Sequence, residues 1–103
     1  MSVTLADQKF EGPFLTTSPI REEPGVYLVV GAGDDGQFML VDAGEAENVR
    51  RTVDNHSRRA CWDQFGFSKL AIAVSYTPGK GQAWRREVEG RIRAEYDPPC
   101  GRA

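Results

Sequence analysis

Short apolar runs alternate with polar, glycine-rich or proline-rich segments along the chain, and the spacing of the apolar residues predicts the elements. The runs GVYLVV (25–30) and QFMLVDA (37–43) are rich in β-branched and aromatic residues, which favour strands. The segment GAGDDG (31–36) between them supplies glycine and aspartate, which tolerate positive φ in a tight turn. These runs predict an antiparallel hairpin. The run KLAIAVSY (69–76) predicts a third strand.

Two segments, 45–56 and 82–96, place apolar residues three or four positions apart, which is the spacing of one face of a helix. Thr52 and His56 lie on the first of these faces, one helical turn apart. The segment DPPCG (97–101) contains two prolines, which cannot continue a helix, and so ends the second helix. The apolar residues on the two predicted faces are Ala46, Val49, Val53, Trp84, Val88, Ile92 and Tyr96.

Residues 1–24 contain a glycine and three prolines between short apolar patches, so they predict an irregular arm over the core. The order of the remaining elements is strand, strand, helix, strand, helix, which predicts a small α/β domain over residues 25–103. A length of 103 residues allows one domain. No membrane-spanning run and no signal peptide are recognisable, so a cytoplasmic protein without membrane contact is expected.

Two cysteines, Cys61 and Cys100, are too few for a disulfide framework, and neither forms a CxxC pair typical of a zinc site. Free thiols are therefore expected.

The formal net charge of −2 argues against a nucleic-acid-binding protein, but the charge is distributed unevenly. Residues 1–48 carry two basic and nine acidic side chains, whereas residues 49–103 carry eleven basic and six acidic ones. Arginine, which makes forked contacts with phosphate, predominates in the stretches 50–59 and 85–93. Two solvated helix faces are the alternative interpretation. The candidate nucleic-acid-binding residues are Arg50, Arg51, Arg58, Arg59, Arg85 and Arg86.

Four features of the sequence share one pattern: Gly25-Val26-Tyr27 on the first predicted strand, Gly44 after the second, His56, and Glu89 with Pro98 nine residues after it. With these residues the chain resembles the GIY-YIG nuclease family over about residues 24–98. Proteins of this family place Gly-Ile-Tyr on the first strand, Tyr-Ile-Gly on the second, and an arginine on the following helix. A histidine often follows about four residues later, and a later helix carries a glutamate ahead of a proline.

The resemblance implies a three-stranded antiparallel sheet flanked by helices, and a metal-dependent endonuclease whose favoured substrate is DNA. Tyr27 would supply or orient the nucleophile, and Glu89 would bind one Mg²⁺ or Mn²⁺. The residues expected to act in catalysis are Tyr27, Asp42, His56 and Glu89.

Two positions depart from the family pattern, because Asp42 replaces the second-motif tyrosine and Thr52 replaces the helix arginine. Losing one preorganised donor typically costs about 100-fold to 1000-fold in rate, so the site is expected to be weakened or rewired. Arg51 lies about 100° away around the helix and is not expected to substitute. The expected substitutes are Arg58, Arg59 and Arg86.

Asp42 is expected to lie opposite or nearly opposite Tyr27 in the hairpin. There it would accept the phenolic proton, act as a second metal ligand, or serve as an anion at the start of the following helix. Plain structural roles also exist for the other candidates. Tyr27 would pack in the core, and His56 would be a hydrogen-bonded packing residue. Glu89 would form surface ion pairs with Arg85 and Arg93, four residues before and after it.

Three functional hypotheses follow. The first is a GIY-YIG-type nuclease, and the second is a catalytically inactive nucleic-acid-binding module of the same fold. The third is a protein-interaction module, whose acidic and basic halves match a protein partner or a second copy of the chain.

Overall fold

The computed structural model describes residues 2–101, and within them the chain forms five strands and three helices. Residues 1, 102 and 103, which belong to the predicted arm and domain, lie outside this range. All strand pairs are antiparallel, and the sheet order is β1-β2-β5-β3-β4. The elements are β1 (Ser2–Leu5), β2 (Gln8–Phe14), β3 (Gly25–Ala32), β4 (Phe38–Ala46), α1 (Val49–Asp54), α2 (Arg59–Asp63), β5 (Lys69–Tyr76) and α3 (Gln82–Tyr96).

The predicted α/β class is confirmed, whereas the predicted three-stranded sheet is wrong because β1 and β2 add two strands. An irregular arm was expected over this region. Instead, Ala6 and Asp7 adopt positive φ of 50° and 61° and form a two-residue turn that pairs Leu5 with Gln8. The strand β2 then pairs with β5 and covers its edge. Only the part of the predicted arm after Phe14 has no helix or strand.

The core is divided between the two faces of the sheet. Along β3, Tyr27 and Val29 belong to one cluster, which α1 and α2 cover with valines and Trp62. Val26 and Leu28 belong to the other cluster, which α3 covers. This alternation follows from the two-residue period of a strand. Because each buried aliphatic side chain stabilises the fold by about 1.5–3 kcal/mol, β3 is firmly held on both faces.

The helix predicted for residues 45–56 spans only Val49–Asp54, so it begins later than predicted and ends before His56, which lies in the following loop. The strand β4 continues to Ala46 because that residue still pairs with Gly25. Asn48 then caps α1, since its Oδ1 accepts a hydrogen bond of 3.0 Å from the backbone N–H of Arg51. The sequence did not predict the short helix α2, which carries Trp62 into the core.

The prediction of free thiols is wrong, because Cys61 and Cys100 form a disulfide across 39 positions of sequence. The backbone N–H of Cys100 donates a hydrogen bond of 3.0 Å to the carbonyl of Val41, which holds the segment after α3 against β4. The disulfide links the same segment to α2, which contains Cys61. Among residues 2–101, no helix has the length and apolar composition needed to cross a membrane.

Candidate functional site

An open pocket of about 470 Å³ lies between β3, β4, α1 and α3. Tyr27, His56 and Glu89, which are predicted catalytic residues, all line it. Thr52, at the position of the family arginine, lines it as well. The pocket therefore gathers residues that lie far apart in the sequence. The complete lining is Tyr27, Gly44, Glu45, Arg51, Thr52, Asn55, His56, Ser57, Arg58 and Glu89.

The position of Tyr27 depends on the glycine opposite it. In the β3–β4 ladder, Tyr27 pairs with Gly44, and the phenol ring lies across this partner. A Cβ atom on residue 44 would collide with the hydroxyl and ring of Tyr27. Gly44 is thus required by the close approach of the phenol, and the ring, only 2% exposed, is fixed against β4.

His56 holds the hydroxyl of Tyr27. Its Nε2 lies 2.5 Å from Tyr27 Oη, while its Nδ1 accepts a hydrogen bond of 3.0 Å from the backbone N–H of Arg58. A neutral imidazole has one N–H, and the accepting Nδ1 must carry the lone pair. The proton therefore lies on Nε2 and is donated to the tyrosine oxygen. As a result, the hydroxyl hydrogen of Tyr27 is available to a group in the pocket.

The surroundings of the pair keep both side chains neutral. Burial raises the pKa of Tyr27 well above its ordinary value of 10.0. Burial, together with the charge of Arg58, lowers the pKa of His56 below 6.5. At neutral pH the pair is therefore a phenol that accepts a hydrogen bond from an uncharged imidazole.

Asp42 was expected opposite or nearly opposite Tyr27. In the β3–β4 ladder it pairs with Val29, two positions further along β3 than Tyr27. Its carboxylate is fully buried and accepts hydrogen bonds from three side chains. Arg58 Nε donates to Oδ2 over 2.8 Å, Trp62 Nε1 to the same oxygen over 2.8 Å, and Arg93 NH2 to Oδ1 over 2.8 Å. We call Asp42, Arg58, Trp62 and Arg93 the carboxylate hub.

The hub joins the elements around the pocket. Burial alone would raise the pKa of Asp42, but the hydrogen bonds from Arg58, Trp62 and Arg93 together lower it, so the carboxylate is ionised. Trp62 also packs against the imidazole of His56, with ring centroids 4.6 Å apart. Asp42 is absent from the pocket lining, and its geometry is that of a residue that positions the loop carrying His56.

Glu89 is the carboxylate on α3 that faces Tyr27 across the pocket lining. Its Oε2 accepts a hydrogen bond of 2.9 Å from Arg93 Nε, four residues later, so the flanking ion pair expected on this side exists. The expected pair with Arg85 does not, because Arg85 Nε donates to Glu45 over 2.9 Å. Within the described part of the chain, Glu89 Oε1 makes no hydrogen bond.

The described residues contain no group of three or more side chains that could together hold a metal ion. Glu89, the metal ligand predicted from the sequence, contributes a single carboxylate oxygen beside the open pocket.

The six candidate arginines are dispersed. Only Arg51 and Arg58 line this pocket, and Arg58 is bound to Asp42. Arg59 donates to the carbonyl of Val53, whereas Arg85 is only 5% exposed and Arg86 lies 3.8 Å from Glu45. Arg50 lies on α1 and is absent from the lining. Arg51, which was not expected to substitute for the family arginine, lines the pocket next to Thr52.

Sequence reasoning missed Trp62 and Arg93 as residues that support the site. Arg93 was noted only as a neighbour of Glu89, and its contact with Asp42 spans 51 positions. The tryptophan in a polar stretch next to Cys61 was the one available signal for a buried residue there.

No family model matches the chain, and neither curated proteins nor solved structures contain a match to it.

Proposed function

We propose that the protein is a metal-dependent phosphodiesterase of GIY-YIG type that cleaves nucleic acid, with DNA as the favoured substrate. One observation carries this proposal. Tyr27, His56 and Glu89, named from separate motifs, line a single pocket, and two of them share a hydrogen bond. The excess of basic residues in positions 49–103 suits a polyanionic substrate.

In this proposal, Tyr27 positions the attacking water. The tyrosine oxygen accepts a hydrogen bond from His56. The hydroxyl hydrogen of Tyr27 is therefore available for donation to a water or a phosphate oxygen in the pocket. Because its pKa is raised, Tyr27 acts as a neutral hydrogen-bonding group at neutral pH and not as a preformed phenolate. His56 acts through Tyr27 and is a positioning residue.

Glu89 provides the metal-binding position. When bound, the cation lowers the pKa of water and offsets the charge on the phosphoryl oxygens. Arg93 holds one oxygen of Glu89 and so orients the other oxygen. The hub fixes Arg93 in turn, since its guanidinium also donates to Asp42.

The proposal is tested by nicking of supercoiled plasmid in magnesium, in manganese and in chelator. We expect metal-dependent nicking by the wild-type protein and at least a 100-fold loss in Glu89→Ala, since one residue would hold the cation. Glu87→Ala is the matched control, because Glu87 is exposed on the same helix and is absent from the pocket. Equal nicking by wild type and Glu89→Ala would contradict the proposal.

A nucleic-acid-binding module without catalysis is the second candidate, and it is favoured by Thr52. This residue brings no charge to the pocket, and the guanidinium of Arg58 beside it is already bound to Asp42. Two results together would support this function. The folded wild-type protein would bind DNA with an affinity that falls steeply with salt, and it would nick plasmid in neither magnesium nor manganese.

A further inference from the structure

The proposed reaction needs a positive charge where the phosphate binds, and Thr52 does not provide one. The pocket lining contains two cationic side chains, Arg51 and Arg58. Arg58 donates to both oxygens of Asp42, over 2.8 Å and 3.3 Å, and is therefore committed to a buried partner. Moving Arg58 away would remove one of the two cationic partners of the buried Asp42 carboxylate, which is costly in the interior.

Arg51 is in a different situation. Its side chain is exposed, and within residues 2–101 its guanidinium has neither a hydrogen bond nor an ion pair. The carboxylates that share the pocket are already paired, Glu45 with Arg85 and Glu89 with Arg93. Among the described residues that line this pocket, Arg51 is therefore the cationic side chain whose charge has no partner.

The backbone around Arg51 is ordered by its own contacts. Its N–H donates to the Oδ1 of Asn48 over 3.0 Å, and its carbonyl accepts from the side chain of Asn55 over 3.1 Å. Both ends of the six-residue helix α1 are thus tied to this residue. The side chain starts from a fixed point while its guanidinium stays free to meet a ligand.

A second pocket, of about 590 Å³, also contains Arg51 and continues to Lys80 and Arg85. The two pockets share Glu45, Arg51 and Thr52 and therefore adjoin at Arg51, and we call the two pockets together the groove. Glu47, which has no ion pair among the described residues, lines only the second pocket, so the favoured position for a phosphate is on the Tyr27 side.

We infer that Arg51 is the phosphate-binding residue of this site and takes the place left without charge by Thr52, with a nucleic-acid strand as the ligand. The role of Arg51 in cleavage rests on the proposed function, whereas its role in DNA binding does not. A strand lying in the groove would present consecutive phosphates to Arg51, whose guanidinium forms forked contacts with phosphate oxygens.

The test compares Arg51→Ala with Arg91→Ala, a control at an exposed arginine on α3 whose side chain lines neither pocket. Each variant is assayed for plasmid nicking and for binding of a 20-nucleotide single-stranded DNA between 50 and 300 mM salt, about the range over which phosphate contacts are resolved. Urea unfolding midpoints equal to that of the wild type establish that both variants fold.

We expect Arg51→Ala to lose about 100-fold or more of the nicking rate. We expect its salt slope to fall by about 0.7, the value for one contact to a single strand, while Arg91→Ala keeps the wild-type rate and slope. If no protein nicks but Arg51→Ala alone shows the reduced slope, the proposed reaction fails and the phosphate-binding role stands. If Arg51→Ala matches Arg91→Ala in both assays, or if the wild-type protein binds no DNA, the inference is overturned.

Discussion

Tyr27 on β3 and His56 after α1 share a hydrogen bond of 2.5 Å between the phenolic oxygen and Nε2. His56 is the donor in this bond. Its Nδ1 accepts a hydrogen bond from the backbone N–H of Arg58, so the imidazole proton lies on Nε2. Two consequences follow. The imidazole must stay neutral to keep this arrangement, and the tyrosine must stay over Gly44 to reach it. Both consequences can be tested without assuming a substrate.

Gly44→Ala should disturb the pair directly. The added methyl group would collide with the phenol of Tyr27, and overpacking of this kind costs about 1–3 kcal/mol. We expect the free energy of unfolding, measured in urea, to fall by that amount. The control is Gly90→Ala, where a methyl group meets open space on α3 and should raise stability by about 0.8–1 kcal/mol. Equal effects of the two variants would contradict the packing described here.

The stability of the fold should depend on the protonation of His56, the chain's single histidine. Its pKa is lower in the folded state than the ordinary 6.5, so the unfolded chain takes up the proton first as pH falls. The stabilisation is complete above 6.5 and is lost as pH falls through 6.5 toward the lower, folded-state pKa. Urea unfolding at closely spaced pH values should show this loss in the wild type and not in His56→Gln. The same pH dependence in both proteins would contradict it.

Asp42→Ala should be among the most destabilising single changes, because it leaves the guanidinium groups of Arg58 and Arg93 without their buried partner. Removing one member of such a pair costs about 3–5 kcal/mol. The matched control is Asp63→Ala, at an exposed position at the end of α2, which should change stability by less than about 0.5 kcal/mol. Chemical denaturation measures both. A loss below about 1 kcal/mol in Asp42→Ala would mean that the hub does not hold the fold together.

The disulfide should stabilise the fold by reducing the conformational entropy of the unfolded chain. Cross-linking positions 39 residues apart typically contributes about 2–4 kcal/mol. We expect a reducing agent to lower the unfolding midpoint of the wild type by a corresponding amount. The double variant Cys61→Ala/Cys100→Ala should start at the lower midpoint and show no response to the reagent. Superimposable wild-type curves with and without reductant would rule out this contribution.

The strands β3 and β5 and the helix α3 could be predicted from the sequence because their apolar patterns are long and regular. Residues 82–96 were predicted as helical, and the structure has the same bounds for α3. The strand β2 was missed because its one fully buried side chain, Phe10, lies among polar residues, and Ala6-Asp7 is not a typical hairpin turn. The start of α1 was missed because Glu45 and Glu47 resemble a helix N-terminus, whereas strand pairing continues to Ala46.

The residues of the candidate site could be predicted from the positions of motifs in the sequence. The hydrogen bonds and ion pairs that determine its chemistry could not, because they join residues far apart in the sequence. The sequence pointed to Tyr27, His56 and Glu89, which line one pocket. It did not reveal that Asp42 would be enclosed by Arg58 and Arg93, because those contacts span 16 and 51 positions and need the packed fold. Helical geometry also predicted that Arg51 would point away from the side of the helix that carries Thr52. Both residues nevertheless line the groove, because it is open and lies beside a short helix.

The proposed reaction requires the hydroxyl of Tyr27. The most direct measurement is the rate of plasmid nicking, in one magnesium buffer, for wild type, Tyr27→Phe and Tyr76→Phe. Tyr76 is a suitable control because its hydroxyl accepts a hydrogen bond from the backbone of Arg21 and lies outside the pocket. We expect Tyr27→Phe to lose about 100-fold or more of the rate while Tyr76→Phe retains it. Wild-type nicking that persists unchanged in a folded Tyr27→Phe protein would contradict the claim.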